Sequence, residues 1–417
     1  MRSMQMQLFS FCHTAARIDP LLQESLSMSR SHPARLAFAL CTITSAVNLQ
    51  APLYDALAAR SGAGVGATTV AFACYVVGIL PVLLGFNGLA ERVGRKPLIV
   101  TALVLCLAAT ALTLAMPGLI TLGIARFMMG IGTALTSTVA PAYMRSLFGG
   151  GDSRAPANWV TASTALGFGL GAAVTALFVL HVPSLTPPSF WLYLGAAALA
   201  LVWVLTLKDD SPRQTGAEML RLPAFPPGAF GYGLAILLAW ASVGLVIAIL
   251  PSTLAQHGLS GWAGFATFGV CSCGVLFQPW ARKLAPQIAT QLGLIILPLA
   301  YGLIAWGALQ GYLVAVLVGT VAASSACYGF IYLGGLSGVL DLAAEQPSRA
   351  SAGYFLMAYL GFSIPVITTG VLVDVFGHTA ALGIFGMVLL GSVIVTLGII
   401  QRGRGLICSA DLARLDR

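Results

Sequence analysis

Arg126 is the one ionised side chain well inside a long apolar run, LITLGIARFMMGIGTALTSTV. A guanidinium surrounded by hydrocarbon is unfavourable by several kcal/mol unless it faces a partner or a wet cavity. At about 1.5 Å per helical residue, counting from Gly118 places it ~12 Å below the nearer membrane surface. The stretch TSAVNLQAPLYDALAAR offers a partner, because Asn48 comes level with Arg126 and Asn48, Pro52 and Asp55 recur at i, i+4, i+7. Asn48, Asp55 and Arg126 are therefore expected to form one polar cluster, with Asp55 the group able to take up a proton. Gln50 and Tyr54 of the same stretch are candidate ligand contacts. Two other readings stay open: Asp55 sits in the headgroup region beside Arg60, or Arg126 is tied to backbone carbonyls and has only a structural role.

The second half of the chain carries no charge in the middle of an apolar run; Asp341, Glu345 and Asp374 fall near the ends. Its soft and polar groups include Trp240, Ser324, Tyr328, Tyr332, Tyr354 and Met357. Ser324, Tyr328 and Tyr332 share a helix face at i, i+4, i+8, and Tyr354 with Met357 is expected to oppose them. A wall of aromatic rings, thioether and hydroxyls suits a lipophilic ligand with a few hydrogen-bonding groups.

Chemistry of a different kind is concentrated in NGLAERVGRKPLI, where Glu91, Arg92, Arg95 and Lys96 crowd into six positions of a chain only 8% charged. A turn between two membrane helices is the place where such charges keep their water.

The elements that must hold these residues follow from composition. With 58% hydrophobic residues in 417 and a mean hydropathy of +0.91, the chain has more apolar surface than a water-soluble core of this size can bury. Crossing about 30 Å of hydrocarbon takes roughly 20 helical residues. That ruler gives twelve spans, near 35–57, 66–89, 97–115, 118–143, 157–180, 189–207, 230–254, 261–280, 288–307, 312–340, 350–373 and 379–400. The predicted fold is an all-α membrane protein of two pseudo-symmetric six-helix bundles, 34–207 and 230–402. A loop, 208–229, rich in Pro and charge, joins them, and tails 1–33 and 403–417 flank them. The end of span 8, VLFQPWARKLAPQ, echoes the end of span 2, as a parallel repeat requires.

Nineteen of the 21 Lys and Arg fall on the side of the termini; Arg60 lies on the other side and Arg126 within a span. Such asymmetry predicts both termini in the cytoplasm and an even number of crossings. The first residues lack a signal-peptide pattern, and Met28, with a basic lead-in after it, is an alternative start. The net charge of +8 is dispersed in short clusters without aromatic interleaving, which argues against nucleic acid. Eight scattered cysteines without metal-ligand spacing read as free apolar fillers.

On these motifs the chain resembles the major facilitator superfamily from about 34 to 402. NGLAERVGRK is similar to the family signature G-x-L-A-D-R-x-G-R-K between spans 2 and 3, with Leu89, Ala90, Arg92, Gly94, Arg95 and Lys96 matching; Asn87 replaces Gly and Glu91 replaces Asp. RFMMGIGTA resembles R-x-x-Q-G-x-G-x-A in span 4, with Met129 in the Gln position. STALGFGLGA matches the export-associated G-x-x-x-G-P-x-x-G-G only at Gly167 and Gly171, and Phe168 stands where Pro is usual.

The resemblance implies a secondary transporter that rocks two bundles about a central cavity. It implies a gate at Glu91, Arg92, Gly94, Arg95 and Lys96, with Glu91 and Arg92 pairing with helix ends across the two halves when the carrier faces outward; the alternative is that Arg92, Arg95 and Lys96 only anchor topology. Coupling is expected at Arg126, Asp55 and Asn48, and substrate contacts at Gln50, Tyr54, Trp240, Ser324, Tyr328, Tyr332, Tyr354 and Met357. Few carboxylates argue against lipophilic cations, and few Asn, Gln and acids against sugars. A small neutral, zwitterionic or weakly anionic amphiphile fits best, moved by proton-coupled efflux; uptake of a metabolite and a non-transporting sensor or scaffold are the alternatives. There is no nucleotide-binding G-x-x-x-x-G-K-[ST] loop and no catalytic triad, so neither ATP nor enzymatic chemistry is expected. No cofactor or metal is expected, and the partners are the substrate, protons and the bilayer, with the protein a monomer.

Overall fold

The computed structural model describes residues 20–85, 89–148, 155–209, 223–343 and 346–415. Among these there is no strand, and ten helices are long and apolar enough to cross a bilayer. Nine of them are spans 1 (Ser31–Ser61), 2 (Val65–Gly85), 3 (Arg95–Ala115), 4 (Leu119–Leu147), 5 (Ala155–His181), 7 (Phe230–Ala248), 8 (Ser260–Ala281), 9 (Pro286–Gln310) and 10 (Leu313–Leu342). A shorter apolar helix, Ser189–Leu205, occupies the place of span 6. The last, Arg349–Arg402, is two arms, because Gly377 at φ 80°, ψ 168° breaks the helix; they are spans 11 and 12. A side chain is strained at that φ, so the chain reverses where glycine permits it. Each expected span thus has its apolar helical segment, in order.

Helix extends beyond the spans at both ends of the described residues. Helix already runs from Pro20 into span 1, and the arm of span 12 continues to Leu415. Most of the central loop, 210–222, together with Asn87 and Glu345, lies outside the described residues.

In lipid, helix association depends on close backbone approach rather than on expelling water, and glycine supplies it. Spans 2 and 4 meet at Gly78 and Gly130, where an added Cβ would lie 2.2 Å from Phe127 O and 2.2 Å from Tyr75 O. Spans 1 and 5 meet at Gly171, where a Cβ would lie 2.0 Å from Ser45 O. The two halves join along spans 5 and 8 (Gly264 against Ala172) and along spans 2 and 11 (Gly370 against Thr69). Below, the end of the molecule with the termini is the terminus end, and the opposite one the far end.

Candidate functional site

Span 1 is not one continuous helix. Its α-helix stops at Asn48, and Ala51–Leu53 forms a 3-10 turn before Tyr54–Ser61 resumes. Pro52 explains the interruption, since it has no N–H and its ring crowds the carbonyl four residues earlier. The last carbonyls of the helix ending at Asn48 lack intrahelical donors. Ala46 O takes Leu49 N–H at 3.3 Å, and Val47 O takes the Nη1 of Arg126.

Arg126 is fully buried. Besides Val47, it donates from Nε to Phe72 O at 3.3 Å, and its guanidinium lies 4.5 Å from the Phe72 ring centre and 4.9 Å from that of Tyr75. Gly130, one turn further along the same face of span 4, lets span 2 come near enough for these contacts. Cation–π contact offsets part of the desolvation of a buried guanidinium. Its Nη2 has no hydrogen-bond partner. The carbonyl-tied reading of Arg126 therefore holds for two of its three nitrogens and leaves the third open.

The expected cluster of Asn48, Asp55 and Arg126 is split. Asn48 is buried and donates through Nδ2 to Phe168 O at 2.8 Å, with Cys271 Sγ at 3.8 Å across the half-to-half boundary; its Oδ1 is unpartnered. Asp55 lies past the break in the helix, half-buried, within electrostatic reach of His378 from the other half. There it lines a far-end cavity of about 580 Å³ with Pro52, Leu180, Ser184 and Gly261. The i, i+4, i+7 alignment fails because the 3-10 turn changes the rotation per residue between Asn48 and Asp55.

Gln50 and Tyr54 are both buried. Gln50 donates through Nε2 to Thr113 at 3.0 Å, toward span 3, and its Oε1 has no partner. Tyr54 packs edge-on to Phe72 at 6.4 Å with its hydroxyl unpartnered. Four polar atoms on spans 1 and 4 are thus held out of water without a protein partner, each a position a ligand or a water can satisfy.

Across the boundary the C-terminal half answers with rings. Phe362 packs against Phe72 at 4.7 Å, tilted by 43°, and lies 6.2 Å from Tyr75. Trp240 lies 5.5 Å from Phe362, 5.5 Å from Tyr328 and 5.9 Å from Tyr359. Trp240, Tyr328, Tyr332, Met357 and Tyr359 keep partial exposure.

The other expected contacts are distributed differently. Residues Ser325–Ile331 form a π-helix, which widens the turn so that Ser324, Tyr328 and Tyr332 meet different neighbours. Ser324 is fully buried beside Gly274 with no partner for its hydroxyl, whereas Tyr332 packs on Phe355 at 6.1 Å. Tyr354 spends its hydroxyl on Ile331 O at 3.1 Å and Tyr332 O at 3.3 Å, over Gly335. It joins spans 10 and 11. Met357 covers Gly233 of span 7.

At the terminus end, Lys96 N–H donates to Asp209 Oδ2 at 2.9 Å, which caps the start of span 3. Lys96 Nζ reaches back to Leu205 O at 2.6 Å and Leu207 O at 2.9 Å, satisfying the last carbonyls of span 6. Gly94 has φ +99°, and a Cβ there would lie 2.7 Å from Asp209 Oδ2. Arg95 donates to Ala142 O at 3.3 Å. These contacts stay within the N-terminal half and the start of the central loop, and none of them involves Glu91 or Arg92, the two residues expected to pair across the halves. Glu91 and Arg92 are exposed.

Phe72, Tyr75 and Phe362 did not stand out in the sequence, because rings in apolar runs look like packing. Asp209 was hidden in a charged loop, and only the cap it makes distinguishes it. The six described cysteines 41, 74, 106, 271, 273 and 327 are free thiols, and no group of His, Cys, Asp or Glu among the described residues could hold a metal.

Two bundles of membrane helices, joined along two helix pairs and meeting at a buried cation and an aromatic cluster, define a polytopic membrane transporter. The family model of the Major Facilitator Superfamily matches residues 36–365, and the chain belongs to that family. No curated protein sequence matches it. Among solved structures, a mutant of the nucleoside transporter NupG aligns with TM-score 0.73 at 11% identity, covering 88% of this chain and 99% of its own. A POT family transporter in complex with 5-aminolevulinic acid aligns with TM-score 0.68 at 15% identity, covering 90% and 96%. A mutant of the peptide transporter POT aligns with TM-score 0.70 at 16% identity, covering 89% and 94%. At such identities the likeness is one of fold.

Proposed function

We propose that this transporter carries a small neutral or weakly anionic amphiphile by alternating access, coupled to protons and in the direction of efflux. The observation that carries the reading is the buried Arg126, whose Nη2 is unpartnered beside the rings of Phe72 and Tyr75 where the two halves meet. A carboxylate or other weakly acidic group would complete that guanidinium, and Phe362, Trp240 and Tyr328 would cover an apolar body. Cargo of the nucleoside or peptide kind named for the structural neighbours is not carried over to this chain; small organic cargo as a class is.

Nineteen of 21 basic residues on the terminus side support cytoplasmic termini in the inner membrane. Asp55, half-buried at the far end, is the group proposed to exchange protons with the outside. Glu91 and Arg92, exposed at the terminus end, are proposed to lock the two halves when that end closes.

Purified protein in proteoliposomes, loaded with an aromatic carboxylate and given an inward proton gradient, should release it faster than without the gradient. Faster accumulation from outside under the same gradient would instead identify uptake, and absence of flux in either direction for every acid and amide in a panel would sink the carrier reading. Asp55→Asn should abolish the effect of the gradient while exchange of substrate across the membrane persists.

A further inference from the structure

Span 2 begins at Val65 at the far end, and its first amides have no acceptor within the helix. Their acceptor comes from the opposite half. Val65 N–H donates to Asp374 Oδ1 at 2.7 Å and Gly66 N–H to Asp374 Oδ2 at 2.8 Å, so one carboxylate on span 11 caps span 2 with both oxygens. The surrounding backbone is cut to this approach. A Cβ at Gly64 would lie within 2.4 Å of Asp374 Oδ1, one at Gly66 within 2.8 Å of Oδ2, and one at Gly370, a turn earlier on span 11, 2.4 Å from Thr69 Oγ1.

The placement is electrostatically one-sided. Asp374 stands just before the break at Gly377, near the negative end of its own helix dipole, where a carboxylate is disfavoured. At the positive end of span 2 it is favoured. Past the break, His378 contacts Gln256 through Nδ1 at 2.7 Å and Ser252 through Nε2 at 3.2 Å, fastening the turn between spans 11 and 12 to the end of span 7. Asp374 therefore projects from a braced corner of the C-terminal half onto an otherwise uncapped helix of the N-terminal half.

We infer that Asp374 is the latch of the far end. While it caps span 2, spans 2 and 11 are held together there and the ring pair Phe72 and Phe362 beneath stays closed. When the far end opens, the carboxylate exchanges two backbone amides for water, and span 2 loses its cap. The role assigned to Asp374 rests on the alternating-access reading above and adds to it the residue that holds one of the two states.

Hydrogen exchange of the full-length protein in nanodiscs tests the latch without any substrate. In Asp374→Ala, amides of residues 69–76 and 362–371 should exchange about tenfold faster than in the wild type, equivalent to ~1.4 kcal/mol of shifted population. Residues 126–135 of span 4 should be unchanged. Gly66→Ala keeps the carboxylate but displaces it, and should raise exchange in the same two segments; it decides the matter if Asp374→Ala does not fold. Unchanged exchange at 69–76 and 362–371, or faster exchange confined to the first two amides of span 2, would overturn the latch. Such a result would leave the carrier reading standing, and absence of flux in proteoliposomes would leave the latch standing.

Discussion

The N-terminal half holds a buried cation among helices that are regular apart from the break in span 1 at Pro52, whereas the C-terminal half brings a ring cluster and several irregular helices. Spans 2 to 5 run as unbroken α-helices pressed together at Gly78, Gly130 and Gly171, and they hold the one buried guanidinium among the described residues. In the other half, span 7 gives way at Ile249, span 8 passes into a 3-10 turn at Cys273–Phe277, and span 10 contains a π-helix at Ser325–Ile331. Such departures mark places where backbone geometry is readily altered. The difference teaches a division of labour: one half is a rigid holder of charge, and the other a deformable aromatic cover.

The largest effect expected of this division is at Arg126. Arg126→Ala leaves Val47 O, at the end of the first helix of span 1, without its donor and empties a fully buried site, and should lower stability by about 3 kcal/mol and abolish flux. Thermal unfolding in detergent and proteoliposome flux measure the two. Arg126→Lys keeps the charge but not the fork, and should retain flux at about a tenth of the wild-type rate. Full activity of Arg126→Ala would remove the contrast between the halves.

Next comes the packing that makes the N-terminal half rigid. Gly130→Ala places a Cβ where Tyr75 O already stands, 2.2 Å away, and should destabilise by about 1 to 3 kcal/mol. A Cβ at Gly383 of span 12 meets nothing within 4 Å, and Gly383→Ala should leave the melting temperature unaltered or raise it slightly.

Smaller again is the effect on the aromatic cover. Trp240→Leu removes three ring contacts worth about 0.5 to 1.5 kcal/mol each, offset in part by the new side chain. Half-saturating substrate concentration should rise by about tenfold, with a smaller change in maximal flux, because these rings hold the substrate's apolar body. The smallest effect is at the terminus end, where Asp209→Ala removes the cap on span 3, weakening it by about 1 kcal/mol, and should leave substrate affinity untouched.

Much of this architecture was legible in the sequence because its signal is long-range and compositional. Twelve apolar stretches, the charged turn before Lys96 and the lone Arg126 all stand out against hydrocarbon, where a single ionised group is conspicuous. Distinguishing the neighbours of each side chain was another matter. Counting through Pro52 as a regular helical position carries Asn48 and Asp55 onto one face, whereas the 3-10 turn around it has a different period. The π-helix around Tyr328 has no residue-type signature, so Ser324, Tyr328 and Tyr332 were aligned as if the helix were regular. Phe362 and Asp374 matter through residues about 300 positions away on span 2, and no local pattern marks that pairing.

The account turns on the free nitrogen of Arg126. From a panel, take an aromatic carboxylate that raises the melting temperature of the purified protein, and its uncharged amide. Compare their binding by titration to the wild type and to Arg126→Gln. The wild type should prefer the carboxylate by at least about tenfold, and Arg126→Gln should bind both with equal, weaker affinity through the rings that remain. An undiminished preference for the carboxylate in Arg126→Gln would contradict the account.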